Sequence, residues 1–181
     1  MTKLRTPFAV ALALAFLAFG NGAMAQQVQS NVAIPVTPTI QNAAYASGNA
    51  IGGLTTVKAF RIETQPSGIL DSVGVAWLGG ETTALTFYIF DTKPGASTCT
   101  DKSAFSLATA DVAKLAIPPF SLTAAATTGT TVTSAQSTFG PTSSNNKDSP
   151  LTANLYICVV VGGSVTPAVG DLTYKVGMAQ D

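Results

Sequence analysis

The sequence contains no histidine. Histidine is the usual general base beside a serine or cysteine nucleophile, so the common nucleophile–base pairs are excluded. Charge is scarce as well: Asp, Glu, Lys and Arg make up 10% of the chain, nine basic residues against nine acidic ones. There is no basic stripe of the kind that binds nucleic acid or an anionic membrane. Gly-x-Ser-x-Gly, Cys-x-x-Cys and the Asp-x-Asp-x-Asp-Gly calcium loop are all missing, which removes the sequence signatures of α/β-hydrolases, thioredoxin-like redox sites and EF-hands. No cofactor is implied.

Long apolar runs are also lacking, with one exception at the start. Phe8–Phe19 is apolar, but shorter than the roughly 20 residues a bilayer span needs. Lys3 and Arg5 precede it, Gly20-Asn21-Gly22 breaks it, and Ala23-Met24-Ala25 gives a small-x-small pattern before Gln26. Basic start, apolar middle and Ala-x-Ala end make residues 1–25 a secretory signal peptide. The mature chain is expected to start at Gln26, without membrane insertion once the signal is removed. Loss of Lys3 and Arg5 leaves seven basic residues against nine acidic, a net charge of −2. The expected location is outside the cytoplasm: periplasmic, cell-surface or extracellular.

Two cysteines are present, Cys99 and Cys158. In an oxidising compartment an even count points to a disulfide, here between these two. Two unpaired thiols, one buried in a strand, are the alternative.

Leu85–Asp91, Leu-Thr-Phe-Tyr-Ile-Phe-Asp, is apolar on both faces of an extended strand. That is the pattern of a central strand covered on both sides. Leu155–Val161 reads the same way. From Asp171 to Met178 the pattern alternates, with Leu172, Tyr174, Val176 and Met178 facing in. Leu54–Ile62 and Ile69–Leu78 read as further strands. Gly79-Gly80-Glu81 is expected to join the latter to Leu85–Asp91 as a hairpin. Phe120-Ser121-Leu122 is a short strand and Thr130–Thr133 a solvated edge strand. Ala108–Leu115 supports one or two turns of helix, with Pro118-Pro119 beyond. Ser143–Pro150 is a loop.

Six to eight short strands make an antiparallel, jelly-roll-like β-sandwich with one short helix over residues 45–181. A closed β-barrel is the alternative. Residues 26–44 form an extended arm interrupted by Pro35 and Pro38. Val32, Ile34 and Val36 give it one apolar edge that suits a sheet, its own or a neighbour's.

Candidate chemistry is sparse. Asp71, Glu81, Asp91, Asp101 and Asp111 are the carboxylates from which a glycosidase pair would be drawn, but most sit at turns, where Asp caps backbone. Asp91 and Asp101 are the weak candidates for calcium. The Gly52-Gly53, Gly79-Gly80 and Gly162-Gly163 pairs read as strand-end turns, since no helix follows to make a phosphate cradle. Trp77 and Tyr88 are candidate ligand-facing aromatics, with Tyr156 a third; all three lie in apolar strands, where core placement competes.

Tyr45–Gly53, Tyr-Ala-Ser-Gly-Asn-Ala-Ile-Gly-Gly, resembles the Tyr-x-x-Gly-Asp-x-Ile-Gly-Gly opening of a small β-domain of bacteriophage virion structural proteins and their uncharacterised bacterial relatives. Ser67–Val73 resembles the next strand of that group. Leu85–Asp91, followed by Pro94, Thr98, Thr100-Asp101 and Ala104-Phe105, is the nearest match. Asp111, Lys114, Leu155-Tyr156, Thr166-Pro167 and Asp171-Leu172 keep the order. The resemblance implies a β-domain that packs on other copies or on a virion surface, with no catalytic residues. The signal peptide and the two cysteines depart from the group and fit an exported relative at the cell surface. The expectation is an exported, non-enzymatic structural or interaction protein that self-associates or binds a cell-surface or extracellular partner. The alternative is a secreted carbohydrate- or small-ligand-binding module.

Overall fold

The computed structural model describes residues 30–58, 68–126, 133–138 and 154–180. The expected signal peptide, the end of the strand expected over Leu54–Ile62, Thr130–Val132 and the loop expected at Ser143–Pro150 lie outside them.

The strands are Ser30–Val36 (β1), Thr55–Lys58 (β2), Gly68–Trp77 (β3), Ala84–Phe90 (β4), Phe120–Thr123 (β5), Ala125–Ala126 (β6), Thr133–Thr138 (β7), Asn154–Val161 (β8) and Leu172–Gln180 (β9). One helical turn, Thr109–Val112 (α1), lies between β4 and β5. A five-stranded sheet runs β1-β9-β3-β7-β6 and a four-stranded sheet β2-β8-β4-β5. All pairings are antiparallel. The two sheets stay separate around one core, so the fold is a β-sandwich and not a closed barrel.

The core follows the period-two patterns. Leu85, Phe87 and Ile89 of β4 and Leu155, Ile157, Val159 and Val161 of β8 meet Val73, Val75 and Trp77 of β3 and Leu172, Tyr174, Val176 and Met178 of β9. The Phe87 ring meets Tyr174 edge-on from the opposite sheet at 5.8 Å and stacks on Phe120 at 5.4 Å. Each such side chain, fully buried, contributes about 1.5–3 kcal/mol of hydrophobic stabilisation.

Three features differ from the sequence reading. β3 and β4 are not a hairpin: β3 pairs with β7 and β9, whereas β4 pairs with β5 and β8. The Leu78–Thr83 connection crosses between sheets, which lets both strands turn their apolar faces into the same core. Second, the β3–β9 register shifts between Leu70 and Ser72. The extra residue, Asp71, resets the alternation, so Leu70 joins Val73, Val75 and Trp77 in the core. Third, β7 falls at Thr133–Thr138, and the two-residue β6 pairs on its outer side at Thr133 and Ser134.

The arm belongs to the sandwich. β1 pairs with β9 of its own chain, from Ser30↔Gln180 to Val36↔Tyr174. Ile34 and Val36 pack on the core, and Pro35 sits on this edge strand, where a missing N–H is tolerated. Gly177 lies where β9 meets β3; a Cβ there would run into the Ser72 hydroxyl.

Candidate functional site

Almost all the polar chemistry of the described residues lies in one layer, on the outer face of the four-stranded sheet. Residues 49–51 continue the line of β2 along β8: Ile51 N–H donates to Val159 O at 2.9 Å and Val161 N–H to Asn49 O at 3.0 Å. Residues 102–105 pair on their far side, with Ala50 N–H to Ser103 O at 2.8 Å and Phe105 N–H to Gly48 O at 2.9 Å. Beneath this layer lies a second apolar cluster of Ala50, Phe90, Cys158 and Val160, flanked by Tyr88, Cys99, Phe105 and Tyr156. It explains why the outer residues of β4 and β8 are apolar too. Gly52 has a φ of 75°, and a Cβ there would strike the Pro38 ring. The glycine therefore serves a tight packing contact.

Asp101 joins three parts of the layer. Tyr45 Oη donates to its carboxylate at 2.9 Å, Gly52 N–H donates at 2.7 Å, and Gln41 N–H donates to Tyr45 Oη at 2.9 Å. Burial pushes the Tyr45 hydroxyl up to about 12, opposed by the Gln41 N–H and reinforced by the Asp101 carboxylate. Tyr45 is thus a neutral donor at any physiological pH.

Asp111, on α1, is a fully buried carboxylate. Gly95, Ala96 and Ser97 N–H donate to it at 3.2, 2.9 and 2.6 Å, and Ser97 Oγ at 2.8 Å. Lys114 Nζ lies 2.8 Å away and also donates to Lys93 O at 3.3 Å. The Lys114 ammonium, then the Ser97 hydroxyl and the backbone donors, hold the carboxyl well below the usual Asp range against the opposing effect of burial. The Ser97–Asp111 contact resembles a nucleophile–base pair, yet so acidic a carboxylate is a poor proton acceptor near neutral pH. Ser97 Oγ is further occupied by accepting from Ala108 N–H at 3.0 Å. The cluster fixes a loop.

Cys99 and Cys158 form the expected disulfide, with S–S 2.01 Å and Cα–Cα 6.1 Å. It ties this layer to the outer face of β8. Leu54 N–H donates to Cys99 O at 3.1 Å on the same seam.

Of the aromatic candidates, Trp77 lies apart from Tyr88 and Tyr156. Trp77 is 0% exposed, inside the core on the five-stranded sheet. It cannot face a ligand; its place in the inward alternation of β3 decides this. Among the described residues its Nε1–H has no hydrogen-bond partner, and nor has the Tyr174 hydroxyl. Burial pushes Tyr174 up to about 12, opposed by the nearby Thr55, whose contact is not a well-formed hydrogen bond. Tyr88, on β4, is partly buried and packs on Phe105 with ring centroids 4.3 Å apart. Tyr156 packs against the same outer cluster.

The carboxylates are similarly dispersed. Asp101 and Asp111 hold separate loops, and Asp171 accepts from Ala168 N–H at 2.7 Å. Among the described residues no three His, Cys, Asp or Glu side chains group to hold a metal ion. A further feature without a signal in the sequence is an open cleft of about 530 Å³ between Ala44–Ala46, Asn49, Glu81 and Ser164–Thr166. It arises where three distant loops meet, for which no local pattern exists. No protein-family model matches the chain, and no curated protein matches it.

Proposed function

We propose that the protein is an exported, non-enzymatic structural or interaction subunit that self-associates through its sheet edges. The observation that carries this reading is the use made of the strongly perturbed carboxylate. Asp111, the group whose chemistry most resembles a catalytic site, is saturated by donors from Gly95, Ala96, Ser97 and Lys114. Asp101 is tied down in the same way by Tyr45 and Gly52. The covered, disulfide-tied layer suits a rigid building block in an oxidising compartment, and sparse charge suits packing against further copies. The resemblance to a virion β-domain points in the same direction. Size-exclusion chromatography with light scattering on the mature chain tests the reading. Oligomers whose mass grows with concentration are expected; a strict monomer at high concentration counts against it.

The cleft lined by Tyr45, Asn49 and Glu81 favours a second reading, a binding module for a carbohydrate or another small polar ligand. A glycan array separates the two: binding that Asn49→Ala abolishes and Tyr88→Ala leaves intact would support the module.

A further inference from the structure

We propose that β1 of one copy adds to β9 of a second copy, so that the edge of the five-stranded sheet is completed in exchange between chains. This rests on the self-association reading and names its element.

The chain has a natural division at Thr37–Thr39. On its C-terminal side Pro38 and Ile40 are buried, and Pro38 occupies the space left by the missing side chain of Gly52. On its N-terminal side β1 is held by seven register pairs to β9, 30–36 against 174–180. Exchange preserves all seven pairs and the packing of Ile34 and Val36 on the core. Only the path of Thr37–Thr39 changes.

Two properties of the arm suit exchange. Ile34 precedes Pro35 and Thr37 precedes Pro38, which biases both toward extended backbone. The arm is thereby stiffened as a straight segment. Ser30–Val36 carries no charge, so nothing in it repels a second copy. Withdrawal of β1 would open the edge of β9, whose inward side chains Tyr174, Val176 and Met178 lie in the core. Strand addition then takes affinity from backbone hydrogen bonds and register from Ile34 and Val36.

The test uses cysteine pairs on the mature chain. Pro35 and Lys175 are register partners, and both are exposed. Directly opposed antiparallel residues lie about 4.5–5.5 Å apart between Cα atoms, within disulfide reach. Pro35→Cys and Lys175→Cys chains are prepared separately, mixed, co-refolded and oxidised. A disulfide joining the two kinds of chain can form only between copies. The expected result is a mixed dimer on non-reducing gels, several-fold above the background from Ala33→Cys mixed with Lys175→Cys, a pair out of register. No mixed dimer above that background, with the Pro35→Cys/Lys175→Cys double variant closing its bond within the monomer, overturns exchange. Light scattering on the unsubstituted chain separates the two failures. Oligomers without mixed dimer leave self-association standing by another surface, whereas a monomer throughout overturns both.

Discussion

Lys114 Nζ lies 2.8 Å from Asp111 Oδ1, three residues along the chain, and the pair pins the Lys93–Ser97 loop. Because the folded carboxyl is held below its unfolded value, its contribution is complete above the unfolded pKa. It is lost as pH falls toward the folded value. With an unperturbed Asp at about 3.9, thermal stability is expected to fall progressively below about pH 4. Asp111→Asn is expected to lower the Tm by several degrees at neutral pH and to flatten this acid slope. Melting curves from pH 2 to 7 on both chains check it; an unchanged slope in the variant would assign the acid sensitivity elsewhere.

The disulfide closes a sequence separation of 59 residues. In the chain-entropy account such a loop stabilises by about 4 kcal/mol. Cys99→Ser with Cys158→Ser, compared by urea denaturation, is expected to lose stability of that order. Mass spectrometry of the oxidised protein is expected to find both thiols consumed; free Cys99 and Cys158 would refute the pairing.

Trp77 is the only tryptophan, so its fluorescence reports on the core. Emission is expected to be blue-shifted and poorly quenched by acrylamide in the folded state. Trp77→Ala is expected to cost about 3–5 kcal/mol, and Tyr88→Ala, at a partly buried site, distinctly less. A red-shifted, readily quenched native spectrum would contradict the core placement.

The close approach of β3 and β9 at Ser72 gives a compensating pair. Gly177→Ala alone is expected to cost about 1–3 kcal/mol by overpacking, since its Cβ meets the Ser72 hydroxyl. Adding Ser72→Ala is expected to restore most of the loss. A double-mutant cycle on denaturation midpoints measures the coupling, and simple additivity would argue against the clash.

The strands that define the core were legible because their side chains alternate or run apolar on both faces. β4, β8 and β9 fall close to the stretches whose composition marks them. The error at β3–β4 has a plain cause: Gly79-Gly80 signals a change of direction but not whether the chain returns to the same sheet or crosses to the other. β7, Thr-Ser-Ala-Gln-Ser-Thr, lacks a hydrophobic period, so its position comes from pairing with β3 and not from its own residues. The Asp111 cluster was hidden for a similar reason. An acidic residue beginning a short helix is ordinary, and its donors come from a loop some fifteen residues away. Trp77 was ambiguous because a core tryptophan and a ligand-facing one share the same strand pattern until the strand's inward face is known.

The central claim is that the β1 arm is the element of association, and an arm deletion tests it most directly. Light-scattering mass is measured over a range of concentrations for the mature chain and for a variant lacking Gln26–Val36. The Trp77 emission confirms that each is folded. The account predicts oligomers for the mature chain and a folded, less stable monomer for the truncated one. Association that persists undiminished without the arm would contradict it.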